Sequence, residues 1–259
     1  MKRGACVEAA EVERRINVPQ SYRLVRRDAR AERTVVRLPN GATFGGDEIA
    51  LCAGPCGVES AEQLERTARA IAGSGANVLR GGAYKPRTSP YSFQGLGEEA
   101  LRLLRDCADR YGLGVVTEVV DPRGVEQVAS YADMLQIGAR NMQNFALLRE
   151  AGVVPLLEEL THLPVIVDPS HAIGIARLVP ALAVASVAAG AHGLLVEVHP
   201  EPSRALSDGA QSLDFDQFDA LVRRLGPVAA LSGRRLPSRL KIGEREETGF
   251  GGAVQQQRR

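Results

Sequence analysis

The densest chemistry in this sequence lies between Val78 and Gly95, VLRGGAYKPRTSPYSFQG. Arg80 closes a short apolar run. Lys85, Arg87, Thr88, Ser89 and Ser92 follow on a segment broken by Gly81, Gly82, Pro86 and Pro90. Cations and hydroxyls on such a loop are unsuited to a core and suited to an anion. Guanidinium groups grip carboxylate or phosphate through paired N–H donors, and an ammonium adds a point charge. The plainer reading is a solvated basic loop. Against it, the loop follows a buried-type strand, and other polar clusters occupy comparable places along the chain.

A second set of reactive residues is dispersed. Cys56 stands in AGPCGVES, His171 in VDPSH, Glu197 in LLVEV and Asp208 in ALSDG. A soft thiolate, an imidazole and two carboxylates make a donor set for a divalent metal: Mn, Fe, Co or Zn. Each residue also has a duller reading. Cys56 would serve as a small buried hydrophobe, His171 as a helix-cap residue, and Glu197 and Asp208 as solvated charges. A Cys52–Cys56 redox pair is disfavoured, because nothing nearby would tune a thiol. His192 and His199 are read as surface groups or as supports behind other side chains.

For these residues to meet, the fold must carry them to one place. After Asp47 the pattern alternates regularly. Strands are expected at Ile49–Ala53, Asn77–Arg80, Val115–Val120, Met134–Ile137, Pro164–Val167 and Gly193–Val198. Helices are expected from Ser60 to about Ala72, over Glu98–Tyr111, from Pro122, near Phe145–Glu150 and over Val154–Leu160, with one more after each of the last two strands. Alternating strand and helix means parallel α/β. Each strand ends near a reactive group: Cys56, Arg80 with Lys85, Glu118, Arg140, Asp168 with His171, and Glu197. A closed barrel gathers strand C-termini round one mouth, whereas an open sheet scatters them, so the pattern favours a TIM-type barrel. Only six strands are found where eight are needed. The count fails near Gly152, where two helical patterns follow one another with no strand between them.

Composition supports this class. The 259 residues are 44% hydrophobic and 24% charged, with 4% aromatics and no Trp. The core must therefore be aliphatic, as in helix-covered parallel sheets. Thirty-two basic residues face thirty-one acidic ones, a net charge of +1, so neither nucleic acid nor an anionic membrane is an expected partner. No apolar run reaches membrane-spanning length, and no signal peptide is visible. Four cysteines without framework spacing point to a reducing cytoplasm. The expected organisation is an N-terminal extension over residues 1–46 with a hairpin turning on Pro39-Asn40-Gly41, a barrel domain over 47–232, and a disordered tail over 233–259.

AGPCGVES, LRGGAYKPRTSPYSFQG, QIGARNMQNF, LPVIVDPSHAIG and LLVEVHPEPSRALSDGAQSLDFDQF together resemble 3-deoxy-7-phosphoheptulonate (DAHP) synthase. The resemblance is to the type I form nearest 3-deoxy-octulosonate-8-phosphate synthase, and it runs from about Tyr22 to Leu225. It implies a (β/α)8 barrel that condenses phosphoenolpyruvate with erythrose 4-phosphate, the first step of the shikimate pathway to aromatic amino acids. Carried over by motif, Cys56, His171, Glu197 and Asp208 would ligate the metal. Arg80, Lys85 and Arg140 would hold phosphoenolpyruvate, with Lys85 also moving a proton. Arg87 and Thr88 would hold the tetrose phosphate, and Glu118 and Asp168 would place water and the tetrose. A homo-oligomer is expected. The sequence departs from the family at Gly152, where a strand–helix–strand segment bearing a Lys-Arg-Gly and a Cys-Glu-Arg-Gly motif is absent. After His171, Gly174-Ile175-Ala176 replaces an arginine-containing run. The loss of two cations is expected to depress catalysis, and the alternative is a degenerate member that binds metal or phosphorylated ligand without efficient turnover. Feedback control through a ferredoxin-like regulatory domain at the N-terminus is not expected. A sugar-phosphate aldolase using a Schiff-base lysine is disfavoured, since Lys85 and Lys241 are the only lysines past the N-terminus and Lys85 lies in an arginine-rich loop.

Overall fold

The computed structural model describes residues 25–30, 32–85, 89, 91–138 and 153–238. A two-stranded hairpin comes first, β1 (Val36–Arg37) against β2 (Thr43–Phe44). Six parallel strands follow: β3 (Ala50–Gly54), β4 (Val78–Arg80), β5 (Gly114–Val119), β6 (Met134–Ile137), β7 (Ile166–Val167) and β8 (Gly193–Glu197). They are ordered β6-β5-β4-β3-β8-β7. Helices connect them: α1 (Ala61–Ser74), α2 (Glu98–Tyr111), α3 (Val125–Ala129), α4 (Val153–Leu160), α5 (Pro169–Ile173), α6 (Val179–Ala188) and α7 (Phe215–Leu231).

Strand period decides which face each residue serves. Leu51 and Ala53, Leu79, Val115, Leu194 and Val196 point outward and pack under the helices in the main core. The alternate positions, Ala50, Cys52, Val78, Val116 and Leu195, point inward and meet Leu38, Ala42 and Phe44 of the hairpin. The hairpin thus plugs the N-terminal end of the curved sheet. Two residues further along each strand, the same inward register carries Gly54, Arg80, Glu118 and Glu197. That register is why polar groups converge at the C-terminal end.

The helices are anchored as their sequences dictate. Ser60 Oγ caps α1 by accepting the Gln63 amide. Asp214 and Gln217 form a reciprocal capping box at the start of α7.

Among the described residues the barrel is incomplete, with six staves where eight would close it. Among the described residues β6 and β7 end the sheet and do not pair with each other. On β6 the outward Leu135 and Ile137 are 36% and 56% exposed, whereas the matching positions on β3 and β8 are buried. The helix expected at Phe145–Glu150 lies outside the described residues, as does most of the expected tail. Residues 233–238 of that expected tail are described, and they are ordered against the sheet. Arg235 donates its amide to Asp47 O and its carbonyl accepts the Ile49 amide, so residues 233–238 return alongside the start of β3.

Candidate metal centre

One ligand atom from each of Cys56, His171, Glu197 and Asp208 lies within 4.8 Å of the others. Three stretches of sequence deliver them: the turn after β3, the short helix α5, and the end of β8 with the loop that follows it. Cys56 follows β3, in a turn that requires glycine. Gly54 has φ +145°, and a Cβ there would sit 2.0 Å from Arg80 O. At Gly82 a Cβ would sit 2.5 Å from Cys56 O, so the loops after β3 and β4 touch backbone to backbone. Glu197 ends β8, wholly buried. Its amide donates to Ser170 Oγ at 3.0 Å, and its Oε2 accepts from Gln211 Nε2 at 2.7 Å.

His171 sits in the short helix α5, capped by Asp168. Asp168 Oδ1 accepts the His171 amide at 2.9 Å, while Oδ2 lies 2.7 Å from His171 Nδ1. One ring nitrogen is thereby committed, and Nε2 faces Glu197 Oε1 at 3.4 Å. This is the usual arrangement of a ligating imidazole, whose far nitrogen is fixed by a carboxylate. Asp208 comes from the loop after β8. Its Oδ2 accepts from Cys56 Sγ at 2.7 Å and from Ser207 Oγ at 2.9 Å.

Two cations, Arg80 and Lys85, flank these donors. Arg80, 2% exposed, donates from Nη1 to Glu197 Oε1 at 2.8 Å and to Pro55 O at 3.2 Å. Lys85 Nζ donates to Cys56 Sγ at 2.7 Å. Burial works against the His171 imidazolium, but the Asp168 hydrogen bond, Cys56 and Glu197 push its pKa up to about 10. Burial likewise works against the Asp208 carboxylate. The Cys56 and Ser207 hydrogen bonds and the Lys85 and His171 charges prevail and hold it below the ordinary carboxylate value. The donors fit a borderline divalent cation: one sulfur, one nitrogen with its tautomer fixed, and two carboxylates, all converging from strand ends.

The structure brings Cys56, Arg80, Lys85, Asp168, His171, Glu197 and Asp208 into one cluster. It places Asp168 directly behind His171. Glu118 occupies the inward register at the end of β5, its carboxylate lying over Gly138, where Oε1 would be 1.8 Å from an added Cβ. Arg87, Thr88 and Arg140 lie outside the described residues. Ser170, Ser207 and Gln211 are site residues that sequence reasoning passed over. Ser170 and Ser207 adjoin assigned positions in DPSH and LSDG, and that adjacency was the available signal. Gln211 offered none.

Parallel strands that deliver metal donors and buried cations to their C-terminal ends define a barrel-type α/β protein with a metal-capable site. Comparison with known proteins narrows the class. The sequence profile of the DAHP synthetase I family matches residues 32–156 and 152–228. The phospho-2-dehydro-3-deoxyheptonate aldolase of Thermotoga maritima is 42% identical over 283 residues, covering 88% of this chain and 82% of that protein. A 2-dehydro-3-deoxyphosphooctonate aldolase of Nitrobacter winogradskyi is 28% identical, over 73% of this chain and 91% of that protein. The crystal structure of the Thermotoga maritima enzyme, a DAHP synthase, superposes with a TM-score of 0.79 at 38% identity, covering 91% of this chain and 87% of that one. A truncated form of the same synthase gives 0.74 at 36%, over 83% and 99%. The chain belongs to the DAHP synthetase I family.

Two details of the comparison bear on the missing staves. The profile matches in two pieces that meet at residues 152–156, where the strand count fails. The alignment of 283 positions also exceeds the 259 residues of the whole chain, so it includes residues of the relative with no counterpart here.

Proposed function

We propose that the chain condenses phosphoenolpyruvate with erythrose 4-phosphate, the DAHP synthase reaction, with a divalent transition metal held by Cys56, His171, Glu197 and Asp208. The observation that carries this reading is the joint placement of four metal donors and the buried cations Arg80 and Lys85 at one end of the sheet, in a chain of this family. When bound, the metal would act as a Lewis acid on the tetrose aldehyde.

The chain's own groups account for the rest. In the overall change, the methylene carbon of phosphoenolpyruvate bonds to the aldehyde carbon, water adds at the enol carbon, and phosphate leaves. Arg80 uses Nη1 on Glu197 and Pro55 O, and the rest of its five-donor guanidinium serves an anion. Lys85 adds charge beside Cys56 and is assigned the proton that the new alkoxide takes up. Asp168 keeps the His171 proton on Nδ1 and Nε2 turned inward. Glu118, at the inner end of β5, is assigned to the attacking water. Arg140 toward the phosphoenolpyruvate phosphate, and Arg87 with Thr88 toward the tetrose phosphate, are assigned by motif.

Three carbons plus four give a heptulosonate, whereas three plus five give the octulosonate of the more distant relatives. The higher identity to the heptonate enzyme supports the four-carbon acceptor. The test is phosphate release by the purified chain after chelation and reloading with manganese. Release is expected to need metal and both substrates, and to fall when a pentose phosphate replaces the tetrose. Release no faster than in the chelated control would leave a family member that binds without turning over.

A further inference from the structure

Asp208 reaches the site from a loop that is unusually constrained, and two residues outside the donor set hold that loop. Its base is closed by the backbone, with the His199 amide donating to Leu213 O and the Leu213 amide to Glu197 O, both at 2.9 Å. Its far end is tightly folded. Asp208 has φ +53°, the one non-glycine residue with positive φ among those described. A Cβ at Gly209 would lie 2.1 Å from Pro202 O. A left-handed aspartate is tolerated only where its surroundings fix it.

Glu59 supplies a fixing point. It precedes Ser60, the cap of α1, and is itself tethered through its amide to Gln63 Oε1 at 3.3 Å. Its Oε1 accepts the amide of Leu206 at 2.7 Å, tying the loop after β3 to the loop after the neighbouring β8. Leu206 is 57% exposed, so its backbone bond holds this point of the loop more firmly than its side chain. Glu59 Oε2 faces the buried His199 Nε2 at 3.5 Å. His199 Nδ1 accepts the Glu201 amide at 3.0 Å. The accepting nitrogen keeps its lone pair, so a neutral ring carries its proton on Nε2, toward Glu59. That Nε2 is buried without a hydrogen bond. An unmade bond of this kind is costly, and Glu59 Oε2, 3.5 Å away, is the acceptor that faces it.

We propose that Glu59 and His199 are positioning residues that hold the Ser207–Asp208 segment over the cation site, an inference that rests on the metal reading above. Glu59 sets the reach of the loop, and His199 sets its entry.

Cadmium titration of the metal-free protein tests this, followed by the absorbance of the Cys56 thiolate–cadmium bond. Hydrogen exchange of residues 200–212 before metal is added provides a second readout. Glu59→Ala is expected to bind cadmium about 10–100-fold more weakly, to reach the parent's thiolate absorbance at saturation, and to exchange faster in the loop. Glu59→Gln keeps an oxygen for the Leu206 amide and should recover most of the affinity. Glu59→Asp keeps the charge but shortens the reach, and should bind more weakly than Glu59→Gln, which provides a test even if the alanine variant does not fold. Parental affinity and loop exchange in Glu59→Ala would overturn the proposal. So would equal defects in Glu59→Gln and Glu59→Ala that follow their melting temperatures. A parent without a cadmium–thiolate band would take down the metal reading, and this inference with it.

Discussion

Arg80 Nη1 and Glu197 Oε1 meet at 2.8 Å with side chains 2% and 0% exposed. They come from β4 and β8, the two strands that flank β3. The pair therefore spans the central strand on the inner face. Each charge is out of water, and each is tolerable because the other is present. In the metal-free chain Glu197→Ala would leave the buried Arg80 guanidinium without its paired carboxylate. Urea unfolding should show a loss of about 3–5 kcal/mol. Replacing both partners by apolar residues, Arg80→Met with Glu197→Leu, should recover much of it. A loss below about 1 kcal/mol, the range of exposed pairs, would mean that water reaches the pair.

Metal occupancy should depend on the donors and on the residue behind one of them. Cys56→Ala and His171→Ala are expected to retain little metal by elemental analysis after dialysis, and full occupancy in both would remove the site. Asp168→Asn is more discriminating. An asparagine oxygen can still cap α5, but its amide N–H would face Nδ1 and drive the ring proton to Nε2. Metal affinity should fall about 10–100-fold while the helix survives.

The fold should have an acid-sensitive point away from the site. His192 is buried, and its Nδ1 accepts the Val165 amide at 3.1 Å. Burial, with Arg234 and Arg33 nearby, lowers its pKa from 6.5 to about 4. A histidine with a depressed folded pKa takes its proton more readily when unfolded. Its contribution is therefore complete above about 6.5 and is lost as pH falls through that value toward about 4. The loss would approach about 3 kcal/mol at the acid end. His192→Asn, which offers an oxygen to the Val165 amide, should flatten this part of the stability profile. An unchanged slope would assign it to other groups.

The incomplete barrel should be least protected at its ends. Met134–Ile137 and Ile166–Val167 are the outer strands of the sheet, while Ala50–Gly54 is paired on both sides. Unpaired strand edges open readily, so amides of β6 and β7 should exchange well before those of β3. Uniformly slow exchange across these strands would show that the edges are covered.

Much of this architecture was legible in the sequence because strand and helix periods are local. The helix at Glu98–Tyr111 and the strand at Met134–Ile137 were bounded from apolar spacing alone. The break near Gly152 showed as a missing strand. The donor set was legible as four reactive types near strand ends, since a parallel sheet converts end position into proximity. What was not legible depends on how loops fold in three dimensions. Gln211 on Glu197 and Glu59 on the Leu206 amide are contacts set by loop geometry, joining residues 14 and 147 positions apart. No short-range pattern announces them.

The missing segment should show itself in the rate. Phosphoenolpyruvate is a small, multiply charged anion, and its binding depends on how many cations meet it in a dry site. Arg80 and Lys85 stand at the site, and Arg140 is present in the sequence. The family resemblance implies one further lysine and one further arginine, both in the segment absent at Gly152. A charge-assisted hydrogen bond contributes about 1.5–3 kcal/mol, so losing two would cost roughly 3–6 kcal/mol if nothing replaces them. At about 1.4 kcal/mol per factor of ten, that is on the order of a hundred- to ten-thousand-fold in kcat/KM. Misplaced flanking strands would add to the deficit, because condensation is sensitive to ångström-scale positioning. The chain is therefore expected to run far below the Thermotoga maritima enzyme assayed alongside it. Inserting that enzyme's strand–helix–strand segment between Gly152 and Val154 should raise the rate, chiefly through KM for phosphoenolpyruvate. Equal rates without the insertion would show that other cations, from this chain or a second copy, complete the phosphate site.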